Sequence, residues 1–252
     1  MEHHGSVPLV ARWAGTSCHN GTVEYRALGR VKSVNTGQLV PNPAKGNQTA
    51  IDKRPAVGPV WVSDPGQEKG SSGLAGDHIG DEKHHGGRRQ AVYVFAREDL
   101  DRWEAELGRP LPDGTFGENL TTLGVDPNRA LVGERWQVGR QLVLEVTGPR
   151  IPCVTFAAKM GLQGWARRFT GSGRPGAYLM VIEPGPVSAG DAVAIVHEPT
   201  HAIDVTTVLL ALTVQPELLE DLLSAGDDLP AELREDVEEK LKKALCGRPV
   251  PQ

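Results

Sequence analysis

Residues 141–153 read Gln-Leu-Val-Leu-Glu-Val-Thr-Gly-Pro-Arg-Ile-Pro-Cys, and they join a predicted strand to a stiff turn that ends in a cysteine. Pro149 and Pro152 fix the backbone angle φ on either side of Arg150, so the side chains of the turn point in defined directions. A guanidinium close to Cys153 would favour the thiolate, which is the form that binds soft metals. The alternative is a buried structural cysteine at the end of a strand.

Short strand patterns separated by turn residues occur along most of the chain. With 30 glycines and 19 prolines, the composition favours many short strands over long helices. Strands are predicted at residues 27–34, 57–62, 91–95, 119–123, 136–138, 141–147, 177–182 and 192–196. Helical spacing of apolar residues occurs at 97–107 and 156–169. The pattern predicts a mainly β fold, a closed β-barrel without exposed sheet edges, with peripheral helices.

The composition changes after His201, where leucine-rich helical spacing replaces the strand pattern. Asp204 can cap a helix through Thr213, and two further apolar faces follow at 218–223 and 233–245. These features predict a small all-α unit of three helices. We therefore divide the chain into an N-terminal extension (1–26), a barrel domain (27–200) and a C-terminal three-helix domain (201–252).

The charge distribution and the cysteines limit the kind of protein. The net charge is −5, and residues 217–246 carry ten acids and four bases, so the remainder is nearly neutral. This balance argues against a nucleic acid polymer as the partner. The sequence contains no run of about 18 apolar residues, so we expect no membrane span. Three widely spaced cysteines and a start without a secretory signal are expected for a cytoplasmic protein.

Two other segments carry groups that suit a binding site. Gly76-Asp77-His78 precedes Lys83-His84-His85-Gly86-Gly87, where paired glycines let ring and backbone donors approach an anionic ligand closely. A mobile polar loop is the alternative for this segment. Phe116-Gly117-Glu118-Asn119-Leu120 stands at the entry to a strand, and by itself it is only a turn signal.

Two metal-hydrolase hypotheses arise from the histidines. His197-Glu198-Pro199-Thr200-His201 matches a zinc-protease pattern, but that pattern needs a helix and Pro199 disfavours one. We reject it as a zinc site. A centre built from Asp77, His78, Asp81, His84 and His85 stays open, although no ligand spacing among these residues is distinctive.

Taken in chain order, the segments 76–87, 116–120 and 148–153 resemble the MOSC family, which is named after the C-terminal domain of molybdenum cofactor sulfurase. The resemblance covers roughly residues 27–196 and includes Ser33-Val34-Asn35-Thr36-Gly37 and the strand before Pro184-Gly185-Pro186. It implies a MOSC-type barrel, similar to the pyruvate kinase barrel. The helices of residues 204–245 resemble the small domain that follows the barrel in one bacterial branch, which is associated with reduction of hydroxylaminopurines.

The resemblance also implies a role for each matched residue. Cys153 would be the protein ligand to molybdenum. The catalytic residues would be Cys153, His84, His85 and Lys83, with a histidine or Lys83 as proton donor. The residues around the molybdenum cofactor (molybdopterin) would be Arg150, Asn119, Gly86, Gly87, Asp77 and Glu118.

The function implied by the resemblance is that of a molybdenum-dependent oxidoreductase, an enzyme that reduces N-hydroxylated small molecules. The chain has no cysteine cluster for an iron–sulfur centre and no dinucleotide fingerprint, so a separate reductase would donate the electrons. The alternative is a non-catalytic carrier that holds sulfur or the cofactor on Cys153. The oligomeric state stays open, with a homodimer as one option.

Overall fold

The computed structural model describes residues 26–246. Strands in this range are β1 (Arg26–Gly37), β2 (Val40–Pro41), β3 (Gln48–Thr49), β4 (Lys53–Pro55), β5 (Val60–Val62), β6 (Val92–Ala96), β7 (Leu120–Leu123), β8 (Arg135–Val138), β9 (Leu142–Pro149), β10 (Ala177–Glu183), β11 (Gly185–Val187) and β12 (Ala192–His197). The α-helices are α1 (Arg97–Leu107), α2 (Val154–Met160), α3 (Trp165–Gly171), α4 (Val205–Thr213) and α5 (Ala231–Cys246), with 3-10 segments at Arg88–Gln90, Pro216–Leu218 and Asp221–Asp228. No helix within 26–246 is both long and apolar enough to cross a membrane. The predicted N-terminal extension, apart from Arg26, lies outside the described residues, as do residues 247–252.

Seven strands close into a barrel. Their order is β12–β8–β9–β10–β6–β7–β1, and β1 pairs again with β12. Strands β6 and β7 run parallel, whereas the other neighbouring strands of the barrel run antiparallel. The prediction of a mainly β, closed barrel with peripheral helices is therefore confirmed.

Strand β6 is apolar throughout because both of its faces are covered. Val92 and Val94 point into the barrel core, while Tyr93 and Phe95 alternate to the outside. There they join an aromatic cluster contributed by α1, α2, α3 and the loop before β7. Its rings are fully or nearly fully buried: Trp103, Phe116, Phe156, Trp165 and Phe169. This cluster fixes the start of α2 against the barrel wall.

The C-terminal helices pack around their own apolar core. Asp204 caps α4 as predicted, since its carboxylate accepts the backbone N–H of Thr207 at 2.8 Å. The middle segment differs from a regular helix and consists of 3-10 turns, interrupted where Gly226 takes φ 54° and ψ −134°. Val132, in the loop before β8, belongs to the same core. The division of the chain near residue 200 stays a prediction.

We expect the aromatic cluster to carry a large share of the stability. Phe169→Ala removes a fully buried ring that contacts five others, so it should lower the free energy of unfolding by about 3–5 kcal/mol. Urea denaturation measures this change. Val214→Ala, at a residue that is 57% exposed, is the control and should change it by less than about 0.5 kcal/mol. Equal effects of the two substitutions would contradict the assigned core.

Candidate functional site

The turn after β9 places Cys153 at the first turn of a helix. Pro149 ends β9 opposite Ala177, and the chain then turns outward through residues 150–152. Cys153 takes an extended conformation (φ −105°, ψ 170°), and its carbonyl accepts the N–H of Ala157 at 3.0 Å, which begins α2. The side chain is partly buried against the aromatic cluster. The local sequence thus holds the thiol at the barrel surface in one orientation.

The surroundings of Cys153 favour its thiolate. Burial alone would raise the pKa of the thiol, but a hydrogen bond from His85 and the charge of Arg150 more than offset it. The backbone N–H of Phe156 adds a further donor, and the pKa falls from 9.0 to about 6. At neutral pH the group is therefore mainly a thiolate, the nucleophilic and metal-binding form of cysteine.

Arg150 is buried beside Cys153 without an acidic partner. Its Nη1 donates to the carbonyl of Phe116 at 2.6 Å. The guanidinium lies over the rings of Phe156 and Tyr93, at 4.5 and 5.0 Å from their centroids. No carboxylate within residues 26–246 forms an ion pair with it. The positive charge of Arg150 is therefore available to the neighbouring thiolate and to an anionic ligand.

Glu118 shapes the loop that holds Arg150. Its buried carboxylate accepts the backbone N–H groups of Gly114 at 2.6 Å and Phe116 at 3.0 Å, and the hydroxyl of Thr121 at 3.0 Å. Burial raises the pKa of this carboxyl, and these donors oppose the rise. Glu118 therefore acts on Arg150 through the carbonyl of Phe116, and its oxygens are already occupied.

Asp77 and Asn119 form a second internal network. The buried carboxylate of Asp77 accepts from the amide of Asn119 at 2.9 Å, from Ser72 at 2.6 Å and from the N–H of Gly37 at 2.7 Å. It also binds the ammonium of Lys53. These contacts tie the segment 72–78 to β1, β4 and the start of β7, and they place Lys53 beside the cavity.

The histidine loop brings His85 to the thiol and leaves His84 nearer to solvent. His84 Nδ1 lies 2.8 Å from Asp81, while Lys45 binds the same carboxylate at 2.6 Å, and the pKa of Asp81 is held well below its usual range. At Gly86 and Gly87 (φ 80° and 79°), a Cβ would lie 2.6 Å from Ser71 O and 2.9 Å from Glu68 O. The paired glycines therefore let this loop pack closely on residues 68–71.

A continuous cleft runs past Cys153 and has three parts. The inner pocket, of about 520 Å³, is lined by Lys53, His78, His85, Arg150, Cys153 and Tyr178 among others. The mouth is lined by Lys45, Asp81, His84, His85, Cys153 and Tyr178 among others. The outer groove, of about 1070 Å³, extends from Gly86, Gln90 and Tyr178 toward α5. Tyr178 is common to all three parts.

The structure brings some of the predicted site residues to the cleft and leaves others away from it. Cys153, Arg150, His84, His85 and Gly86 line it. Five other predicted residues do not line any of these three parts: Lys83, Gly87, Asp77, Glu118 and Asn119. Lys83 is exposed to solvent. The side chains of Asp77, Glu118 and Asn119 form hydrogen bonds within the protein. Their proposed contacts with a cofactor stay predictions.

Sequence reasoning missed several polar residues of the cleft, among them Lys45, Lys53 and Tyr178. Lys45 lies between β2 and β3 and Lys53 begins β4, in short segments that carry no motif, and Tyr178 lies in an ordinary strand pattern. Burial raises the pKa of Tyr178, so its hydroxyl stays protonated as a hydrogen-bond donor. Only the antiparallel pairing of β10 with β9, which sets Tyr178 opposite Gly148, places Tyr178 next to the turn at 148–153.

The structure does not support the two metal-hydrolase hypotheses. Within residues 26–246 there is no group of three or more His, Cys, Asp or Glu side chains placed to hold a metal ion. The carboxylate of Asp77 is occupied, and His78 Nδ1 lies 3.1 Å from the carbonyl of Gly37. His197 ends β12, and His201 Nε2 lies 3.0 Å from the carbonyl of Val132, so the two histidines do not lie on one helical face.

The chain belongs to the MOSC family. The family model for the MOSC domain matches residues 81–194. The uncharacterized protein YflK of Bacillus subtilis is 35% identical over 162 residues, which cover 64% of this chain and 70% of YflK.

Two further comparisons extend this likeness. The crystal structure of YiiM from Geobacillus stearothermophilus superposes with a TM-score of 0.67 at 24% identity, covering 84% of this chain and 98% of YiiM, and so shows the same fold. A protein of Gibberella moniliformis named "Reductase" is 28% identical over 212 residues, which cover 81% of this chain. The match spans 36% of that protein's length. The superposition on YiiM supports the family fold.

The low pKa of Cys153 predicts unusual alkylation behaviour. In protein made by a host without molybdenum cofactor, the iodoacetamide reaction rate at Cys153 should rise with a midpoint near pH 6, because only the thiolate reacts. His85→Ala removes a hydrogen bond to the thiolate and should move the midpoint up by about 1 to 2 pH units. His84→Ala is the matched control, since His84 bonds Asp81, and should leave it unchanged. Peptide mass spectrometry measures the labelled fraction at each pH. A wild-type midpoint above pH 8 would contradict the low pKa of Cys153.

Proposed function

We propose that the chain is a molybdenum-cofactor-binding oxidoreductase that reduces N-hydroxylated compounds of the hydroxylaminopurine kind. The observation that carries the proposal is the pairing of the Cys153 thiolate with the buried, carboxylate-free Arg150 at one cavity. The MOSC family membership and the reductase-named relative support the same class of activity.

The residues of the cleft fit an anionic cofactor that carries its own metal. A single thiolate, without a cluster of other protein ligands among residues 26–246, suits a soft metal whose remaining ligands arrive with the cofactor. Arg150 lines the inner pocket and supplies positive charge to the cofactor's anionic part, while Lys53 lines the same pocket with its ammonium paired to Asp77. When bound, the molybdenum cofactor would supply the two-electron redox chemistry.

The protein's own part in the reaction is to bind, orient and supply protons. Reduction of R–NH–OH takes up two electrons and two protons, breaks the N–O bond and releases R–NH2 and water. A separate electron-donor reductase supplies the electrons. His84, with a side chain 59% exposed and bonded to Asp81, can draw protons from solvent, and His85 lies against the thiolate.

The remaining predicted residues, apart from Lys83, position the loops and side chains of the cleft without lining its inner pocket. Gly86 and Gly87 let the histidine loop approach, and Asp77, Asn119 and Glu118 hold Lys53 and Arg150 in place. Lys83 is exposed outside the cleft, so proton donation is assigned to the histidines. The carrier alternative uses the same Cys153 thiolate, and it differs in having no turnover.

Metal content and turnover test the proposal together. Wild-type protein from a host that makes molybdenum cofactor should contain molybdenum by mass spectrometry, and Cys153→Ala should lose it. With a reduced viologen dye as donor, reduction of an N-hydroxylated purine should fall by more than about 100-fold. Cys246→Ala, a cysteine substitution in α5, is the matched control and should retain both properties.

The outcomes separate the two functions. Molybdenum that depends on Cys153 without turnover of any N-hydroxylated compound would favour the carrier. Molybdenum content that is equal in wild type and Cys153→Ala would contradict both functions.

A further inference from the structure

The outer groove continues the cleft on the side of Cys153 away from Lys53. The mouth and the outer groove share four wall residues, which are Gln90, Pro149, Ile151 and Tyr178. Beyond them the groove is bounded by the 3-10 segment Arg88–Gln90 on one side and by Glu232, Leu233 and Asp236 of α5 on the other. A ligand that reaches Cys153 through the mouth can therefore extend into this groove.

The wall next to the barrel is basic. Lys69, Arg88 and Arg89 line the groove. Arg88 uses one terminal nitrogen to bind Asp64 at 2.6 Å, and Arg89 uses one to contact Glu232 at 3.3 Å. These contacts use one of the two terminal nitrogens of each guanidinium. The other terminal nitrogen of each can donate to an anion in the groove.

The acidic partner of Arg89 is weakly held. The Arg89–Glu232 contact is long, and the side chain of Glu232 is 58% exposed. Exposed ion pairs of this kind contribute little stability. A phosphate group carries more charge and more acceptor oxygens than one carboxylate and binds arginine in a forked geometry. It can therefore displace Glu232 from Arg89.

Between the basic wall and Cys153 the cleft suits a flat, hydrogen-bonding group. Ile151, 44% exposed, and Pro149 give it apolar walls, and the ring of Tyr178 lies between the inner pocket and the outer groove. The side-chain oxygen of Gln90 accepts the N–H of Gly86 at 3.2 Å, which leaves its amide NH2 able to donate.

From this arrangement we propose that the outer groove is a phosphate subsite, so that the substrate is an N-hydroxylated purine nucleotide with its base at Cys153 and its phosphate at Arg88 and Arg89. This assignment deepens the proposed function and rests on it for the identity of the reacting group. The same phosphate chemistry could come from the cofactor, and the experiment separates these two sources.

Calorimetric titration of the molybdenum-loaded protein with AMP and with adenosine tests the subsite without turnover. AMP should bind roughly tenfold more tightly than adenosine. Arg89→Gln should weaken AMP binding by roughly tenfold, whereas Glu232→Gln should strengthen it, because the competing carboxylate is removed. Neither substitution should change adenosine binding. Arg140→Gln, an equal charge change at an exposed arginine outside the cleft, should leave AMP binding unchanged.

Three results of the titration would overturn the subsite, and one result of metal analysis would do so too. The titration results are equal affinity of the wild type for AMP and adenosine, an unchanged AMP affinity in Arg89→Gln, or an effect of Arg140→Gln as large as that of Arg89→Gln. Loss of molybdenum from Arg89→Gln would assign the phosphate to the cofactor and would also overturn it. Normal AMP discrimination without turnover of N-hydroxylated purines would support the subsite and contradict the proposed reductase.

Discussion

The guanidinium of Arg150 is a buried cation without a carboxylate, and the candidate site depends on how the protein keeps it charged. A charge removed from water is costly unless other groups solvate it. Here the Phe116 carbonyl and the faces of Phe156 and Tyr93 do so. No carboxylate of residues 27–243 forms an ion pair with this charge, and the buried carboxyl of Glu118 acts on it only from a distance. The charge lowers the pKa of Cys153 and gives the inner pocket its attraction for anions.

The barrel and the aromatic cluster together produce this environment. Tyr93 comes from the outer face of β6, Phe156 from α2, and Phe116 from the loop that Glu118 holds by three hydrogen bonds. Each element belongs to a different part of the sequence, and closure of the barrel brings them together. A change in the cluster should therefore affect both stability and the chemistry of Cys153.

Local patterns in the sequence predicted the features that depend on residues close together in the chain. The strand alternation and turns predicted the barrel, and the turn at 148–153 placed Arg150 beside Cys153. The partners of His85, Lys53 and Tyr178 depend on strand pairing and loop packing between distant segments, so no local signal could indicate them. The same limit applies to the three-helix prediction, where Gly226 replaces a regular middle helix by 3-10 turns.

We propose that the Cys153 thiolate beside Arg150 is the point of attachment for the molybdenum cofactor. The most direct measurement is alkylation of Cys153 at pH 7 in protein from hosts with and without the cofactor pathway. Peptide mass spectrometry gives the labelled fraction, with Cys246 as internal reference. We expect rapid labelling of Cys153 in the cofactor-free protein and protection in proportion to molybdenum content. Equal labelling of Cys153 in both preparations, with molybdenum present in one, would contradict this attachment.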